Sequence, residues 1–365
     1  MPNLTEAGLR HARHYLSVTW ETDRRYKQGG DSVKQALYLF DMEWGNIQTA
    51  QRWACLKADE GTSTAELCTT YPQAGAYLLV LRQPIDERIR WLETAIEIAH
   101  RLGNRPLEAV HLGNLGLAYA ARGEVQRAIE LYEQALAIDR QASDKRNEAA
   151  DLGNLANVYD GLGQTQRAIE FYEQALVLQQ EVGDQRGEGY TLTNLGIAYA
   201  NLNNHQRAAE CHKQALNISR EIGDRRNESL ALGNLGIAYK NMGDTLRAIE
   251  SYEEALVIAK EIGDRRQEGN LLSNLGNAYS ILGQTERAIE YYEQHLNIAD
   301  EIGDPRGKGI SLFNLGLMLY ERGDLDQAMS CAKTAWAIFW KIESSLAAVV
   351  QAQIDEWQNQ PNVTE

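Results

Sequence analysis

One residue type recurs along this chain with a spacing that could do chemistry. Asparagine stands at Asn114, Asn154, Asn194, Asn234, Asn274 and Asn314, forty residues apart each time. A side-chain amide has one acceptor and two donors, so it can pair with a peptide unit whatever that peptide's side chains are. Asparagine is a mediocre helix former, so its repetition inside helices calls for a reason. Two roles are open: the amides grip the backbone of a bound chain, or they bond to a neighbouring helix and only set the stacking. A second row is Arg146, Arg186, Arg226, Arg266 and Arg306. These guanidinium groups can pair with acidic side chains of a ligand. The alternative is local pairing with Glu181, Glu221, Glu261 and Glu301, worth little at a surface. A third position, three residues after the ladder, varies between Asn157, Ile197, Ile237, Asn277 and Leu317, which suits selectivity for ligand side chains.

Nothing in the sequence points to an enzyme. It contains no G-x-x-x-x-G-K-[ST], since Gly307-Lys308-Gly309 lacks both the spacing and the hydroxyl, and no H-E-x-x-H. His11 and His14 share a helical face, but two imidazoles alone make a poor metal site. No catalytic residue, metal or cofactor is therefore expected. A formal net charge of −15 repels phosphate, which argues against nucleic acid and anionic membranes as partners. No apolar run is long enough to cross a bilayer, and no signal peptide is evident. The cysteines, Cys55, Cys68, Cys211 and Cys331, are widely spaced, so reduced thiols and a cytoplasmic location are expected.

The elements that carry these rows follow from a second repetition. Leu112–Tyr119 reads LGNLGLAY, and related octets begin at Leu152, Leu192, Leu232, Leu272 and Leu312. A block such as QRAIELYEQAL follows each in phase, from Gln126, Gln166, Gln206, Leu246, Glu286 and Asp326. Leu152, Leu155, Ala156 and Tyr159 fall at i, i+3, i+4 and i+7, one apolar face of a helix. Ala168, Ile169, Tyr172, Ala175, Leu176 and Leu178 form a similar face on the next. Turns such as Gly161–Thr165 supply a glycine for the left-handed conformation that ends a helix, and Asn203 stands there once. Ile-Gly-Asp at 222–224, 262–264 and 302–304 closes one helix and caps the next, with Pro305 at a first helical position. Small residues at Gly116, Gly196, Gly236, Gly276 and Gly316 let paired helices approach. A helix pair alone cannot bury its apolar face, whereas stacked pairs can.

This pattern resembles the tetratricopeptide repeat family. In the fourth repeat Leu235, Gly236, Tyr239, Ala248, Tyr252 and Ala255 match its signature. The forty-residue length resembles the long-helix variant of kinesin light chains, Leu-Gly-Asn repeat adaptors and many bacterial signalling proteins. The match covers about Arg105 to Glu343; in the last repeat Leu319 replaces the tyrosine and Ala332 the second-helix aromatic. The resemblance implies an all-α, right-handed superhelical solenoid of antiparallel helix pairs. It also implies that the first helices line the concave wall, so the asparagine row faces a groove. Packed helices lie about 8–10 Å apart and an extended peptide rises about 3.3 Å per residue, so six amides would span roughly 50 Å, or about fifteen ligand residues.

Four segments are expected: an N-terminal helical segment (1–63), a degenerate repeat (64–104), six repeats (105–343), and a capping helix and tail (344–365). Leu4–Tyr26 and Ser32–Lys57 read as helices broken at Gly29–Gly30. A partner helix near Thr64–Leu81 precedes Asp86–Leu102. Leu39–Ala54 resembles the helical linker before such arrays in bacterial nucleotide-switch ATPases of the NB-ARC kind. The expected role is an adaptor or sensor that holds a partner segment in its groove. The rivals are a self-associating scaffold with an empty groove, and the sensor arm of a nucleotide-switch system of the STAND type. All seven tryptophans lie outside the first five matching repeats and are expected to fill irregular packing at the ends.

Overall fold

The computed structural model describes residues 4–28 and 31–359. The expected break at Gly29–Gly30 lies outside the described residues. Among those residues there are eighteen helices and no strand. The chain divides into two compact units, residues 1–194 and 195–365.

In the first unit, α1 (Leu4–Gln28), α2 (Asp31–Leu56), α3 (Thr62–Ala74), α4 (Ala76–Arg82) and α5 (Ile85–Arg101) form an irregular bundle. Its core gathers Phe40, Ile47, Tyr71, Leu78 and Trp91, and Trp44 stacks between Phe40 and Trp91. The single helix expected near 64–81 is instead two. The chain leaves helical geometry at Gly75, where a β-carbon would lie 2.8 Å from the Thr19 methyl, so α1 crosses here against bare backbone. Asp23 of α1 then accepts the N–H groups of Tyr77 and Leu78, and so caps the start of α4 from another helix. The expectation of four reduced thiols also fails: Cys55 and Cys68 form a disulfide, with Cα atoms 5.0 Å apart. Packing of α3 back onto the end of α2 brings them together, which spacing alone does not reveal.

Regular hairpins follow: α6 (Arg105–Ala121) with α7 (Val125–Ala142), then α8 (Lys145–Gly161) with α9 (Thr165–Val182). The helix α10 (Gln185–Asn201) contributes residues to both units. The second unit continues with α11 (His205–Ile222), α12 (Arg225–Asn241), α13 (Thr245–Ile262), α14 (Arg265–Ile281), α15 (Thr285–Ile302), α16 (Pro305–Arg322), α17 (Leu325–Lys341) and α18 (Leu346–Asn359). From Gly103 to Glu343 a residue of positive φ recurs every twenty residues. Ten of these are glycine; Ser143, Asn203 and Glu343 hold the same left-handed geometry with a β-carbon, which costs about 1–2 kcal/mol at each. Asp144, Asp184, Asp224, Asp264 and Asp304 each accept the backbone N–H three residues on, which satisfies one orphan donor at a helix start.

Within a hairpin the first helix presents a bare glycine to an aromatic ring. A β-carbon on Gly236 or Gly276 would lie 2.5 Å from the ring of Tyr252 or Tyr292. Between hairpins the joint chemistry varies. Asp139 of α7 and Asp151 of α8 face each other, both buried, and neither oxygen of Asp139 has a donor among the described residues. A proton held between the two carboxyls supplies one. Burial, followed by the charge of Asp139, pushes Asp151 up to about 8; burial, followed by Asp144 and Glu148, pushes Asp139 up to about 6.

Candidate functional site

The six ladder asparagines are all half-buried and lie on the first helix of each hairpin. Their two open roles divide between them. In the first unit Asn194 donates to Asn157 of the preceding hairpin at 3.2 Å, and the same Asn157 oxygen accepts the Tyr172 hydroxyl at 2.6 Å. In the second unit Asn314 donates to Asn277 at 3.3 Å, and Asn277 accepts the Tyr292 hydroxyl at 2.7 Å. These two ladder members latch one hairpin to the next, so the groove-contact expectation for Asn157 and Asn277 meets an oxygen already engaged. Asn154 lies near enough to Asp151 to favour its charged form. Asn234 and Asn274 have no hydrogen-bond partner among the described residues, and neither does Asn114.

The cause lies in the variable third position. A buried tyrosine hydroxyl needs an acceptor. Asn157 and Asn277 supply one and thereby also offer an oxygen to the next ladder amide. Where Ile237 stands instead, the Tyr252 hydroxyl is buried without a partner and Asn274 stays unclaimed.

The two unclaimed amides of the second unit open into the same place. A cleft of about 390 Å³ is lined by α12, α14 and the start of α16, with one residue from α15. Asn234, Asn274 and Asn270 supply amides there; Ile237, Leu271 and Ile310 supply apolar wall. Arg306, from the arginine row, lies on its rim, exposed and without an ion pair among the described residues. The lining is mostly polar, with Ile237, Leu271 and Ile310 set among amide, hydroxyl and charged groups, which suits a ligand held by hydrogen bonds.

The local pairing weighed for the arginine row is taken by different residues. Glu181, Glu261 and Glu301 are held by Lys145, Arg225 and Arg265, one position earlier in the helix. Each pair joins the start of a first helix to the end of the second helix of the same hairpin, not to the helix before it. Arg226 approaches Asp264 at 3.8 Å, while Arg146, Arg266 and Arg306 are exposed and hold no ion pair among the described residues. Arg186 is exposed as well.

The cleft also contains residues that sequence reasoning passed over. His295 replaces the small residue found at Ala135, Ala175, Ala215, Ala255 and Ala335. It is 6% exposed, lines the cleft, and lies 2.7 Å through Nδ1 from the Ser311 hydroxyl. Asp304 and Gly307 lie beside it. The signal was the departure from alanine; what it meant depended on Gly307, where Asn227 and Gln267 stand in the two hairpins before. Among the described residues no group of three histidine, cysteine, aspartate or glutamate side chains is placed to hold a metal ion, and no helix is long and apolar enough to cross a membrane.

Comparisons with known proteins agree with this fold. A tetratricopeptide repeat family model matches residues 76–141, 122–181, 147–221, 187–261, 227–301 and 267–339. No curated protein sequence matches. Among solved structures, the chain is similar to a Signal Transduction ATPase with Numerous Domains with a tetratricopeptide repeat sensor from Pyrococcus horikoshii, at 16% identity and a TM-score of 0.68. That match covers 98% of this chain but 55% of the other, so the chain spans about half the length of this relative. A Rap protein complexed with competence and sporulation factor is similar at 16% identity and a TM-score of 0.55, covering 96% of this chain and 98% of the other. A tetratricopeptide repeat protein from Parabacteroides merdae is similar at 18% identity and a TM-score of 0.53, covering 80% and 99%. Matched over residues 76–339, this all-α chain belongs to the tetratricopeptide repeat family.

Proposed function

We propose that the chain is a protein-binding module that holds an extended peptide segment against the first-helix face of its second unit. The observation that carries this is the cleft in which Asn234 and Asn274, the ladder amides not spent on latching, stand without partners. A free amide in a half-buried wall can accept one peptide N–H and donate to one peptide carbonyl, so it grips backbone and tolerates varied side chains. Ile237 and Ile310 give a bound segment apolar contact, and Arg306 on the rim pairs with an acidic side chain. In this reading Asn194 and Asn314 are structural, and residues 64–104 serve as a degenerate repeat at one end of the array.

The test uses peptides selected from a random dodecapeptide library on the intact chain. Replacing Asn234 and Asn274 with alanine removes two amide pairs, about 2 kcal/mol together, and weakens a selected peptide roughly thirtyfold. Replacing Asn194 and Asn314 leaves affinity within about threefold while lowering the unfolding midpoint. Equal affinity for the first double variant and the parent would sink the proposal. The Rap structure named above, which shares this fold, was solved in complex with competence and sporulation factor.

A further inference from the structure

A carboxylate oxygen and an imidazole nitrogen converge beside Gly307 without a hydrogen-bond partner among the described residues. A β-carbon built on Gly307 would lie 2.5 Å from Asp304 Oδ2 and 3.4 Å from His295 Nε2. The other Asp304 oxygen is engaged, since it accepts the Gly307 N–H at 3.0 Å. The role of the imidazole follows from its neighbour. Ser311 has one hydroxyl hydrogen and donates it to the Gly307 carbonyl at 3.0 Å. We assign the imidazole the tautomer in which this oxygen accepts from Nδ1 at 2.7 Å, which leaves a lone pair on Nε2. Burial pushes the His295 pKa down, against the pull of Asp304, which favours the neutral ring.

The cations that could fill this place are occupied elsewhere or stand outside it. Arg265 is held by Glu301 and Glu268, and Lys308 by Asp300 at 2.6 Å. In the preceding hairpin Arg226 approaches the capping carboxylate Asp264, whereas Arg266, its counterpart toward Asp304, forms no ion pair among the described residues. Arg306 sits on the exposed rim. The second oxygen of the half-buried Asp304 and Nε2 of the buried His295 thus face a cleft in which neither has a hydrogen-bond partner among the described residues. The formal net charge of −15 draws cations toward such a site.

We propose that His295 and Asp304 form a specificity pocket that reads a lysine or arginine side chain of the bound segment. Its donors fit two acceptors, its charge matches the carboxylate, and its aliphatic stem lies along Leu271 and Ile310. The inference rests on the peptide-binding reading above and adds the residue class recognised.

The test is a double-mutant cycle with peptides selected on the intact chain. Asp304→Asn keeps a competent helix cap and removes the charge; His295→Ala restores the small residue of the other hairpins. Selections on the parent are expected to fix lysine or arginine at one ligand position. Exchange of that residue for norleucine weakens binding to the parent roughly tenfold, and weakens binding to Asp304→Asn or His295→Ala by less than about threefold. Binding is unchanged by a chelator. A norleucine penalty that is the same in parent and variants, selection of acidic or apolar residues alone, or loss of binding with chelator would overturn the pocket. If Asn234 and Asn274 prove essential while the cycle shows no coupling, the pocket falls and the peptide-binding reading stands. If the parent selects no peptide, both fall.

Discussion

The joint between α7 and α8 and the joint between α13 and α14 are the same place in two repeats, built from opposite materials. Asp139 and Asp151 meet in the first unit; one hundred and twenty residues on, the equivalent positions are Ala259 and Leu271. All four are buried. Even the bare backbone opposite is shared: a β-carbon on Gly113 would meet Asp151, and one on Gly233 would meet Leu271. The repeat signature thus dictates a shape at the joint and leaves its chemistry open. An apolar pair is stable at any pH. A pair of buried carboxyls holds together only while it keeps a proton, because two like charges at one site cannot both ionise.

The comparison breaks most severely if half of the carboxyl solution is placed in the apolar joint. Leu271→Asp buries a single carboxyl without its partner and is expected to cost about 3–5 kcal/mol, read as a lowered urea midpoint. The reverse graft, Asp139→Ala with Asp151→Leu, copies the second unit into the first and is expected to gain about 1–4 kcal/mol at neutral pH. Its signature is in the pH profile. Both aspartates titrate higher in the folded chain than the ordinary carboxyl value near 3.9, so the stability they contribute is complete below about pH 4. It is lost as pH rises through about 6 and then about 8. Hydrogen-exchange protection in α7 and α8, corrected for the intrinsic rise of exchange with pH, should fall over that interval in the parent and stay flat in the double variant.

A smaller effect sharpens the contrast between latched and unlatched hairpins. Ile237→Asn gives the Tyr252 hydroxyl the acceptor that Tyr172 and Tyr292 already have, and offers a second lone pair to Asn274. The expected gain is about 1 kcal/mol in thermal unfolding, accompanied by weaker peptide binding, because Asn274 is drawn out of the cleft. A stabilised variant with unimpaired binding would remove Asn274 from the site.

The regular part of this fold was legible because its signals are local. A glycine at most left-handed turns and an aspartate at the start of each first helix from α8 to α16 act within a few residues. Helices from Arg105 to Lys341 follow from them. What escaped depends on neighbours distant in sequence. The break at Gly75 is set by Thr19, and the start of α4 by Asp23. The disulfide needs the end of α2 to meet α3. The asparagine row was visible at once, but its division was not, since Asn194 and Asn314 find their acceptors thirty-seven residues back. His295 breaks a column of alanines, a departure whose meaning the sequence does not supply. That its free nitrogen faces a cleft, and not a packed interior, followed only from the side chain missing at Gly307.

The turns that fall every twenty residues carry a mechanical corollary. Each hairpin between them has the same length of chain, forty residues, whatever its joint is made of. If the ends were pulled apart, each hairpin that peeled away would release the same slack, about 130–145 Å when drawn straight. The molecule would lengthen in equal steps, and only the force at each step would tell an acid joint from an oily one.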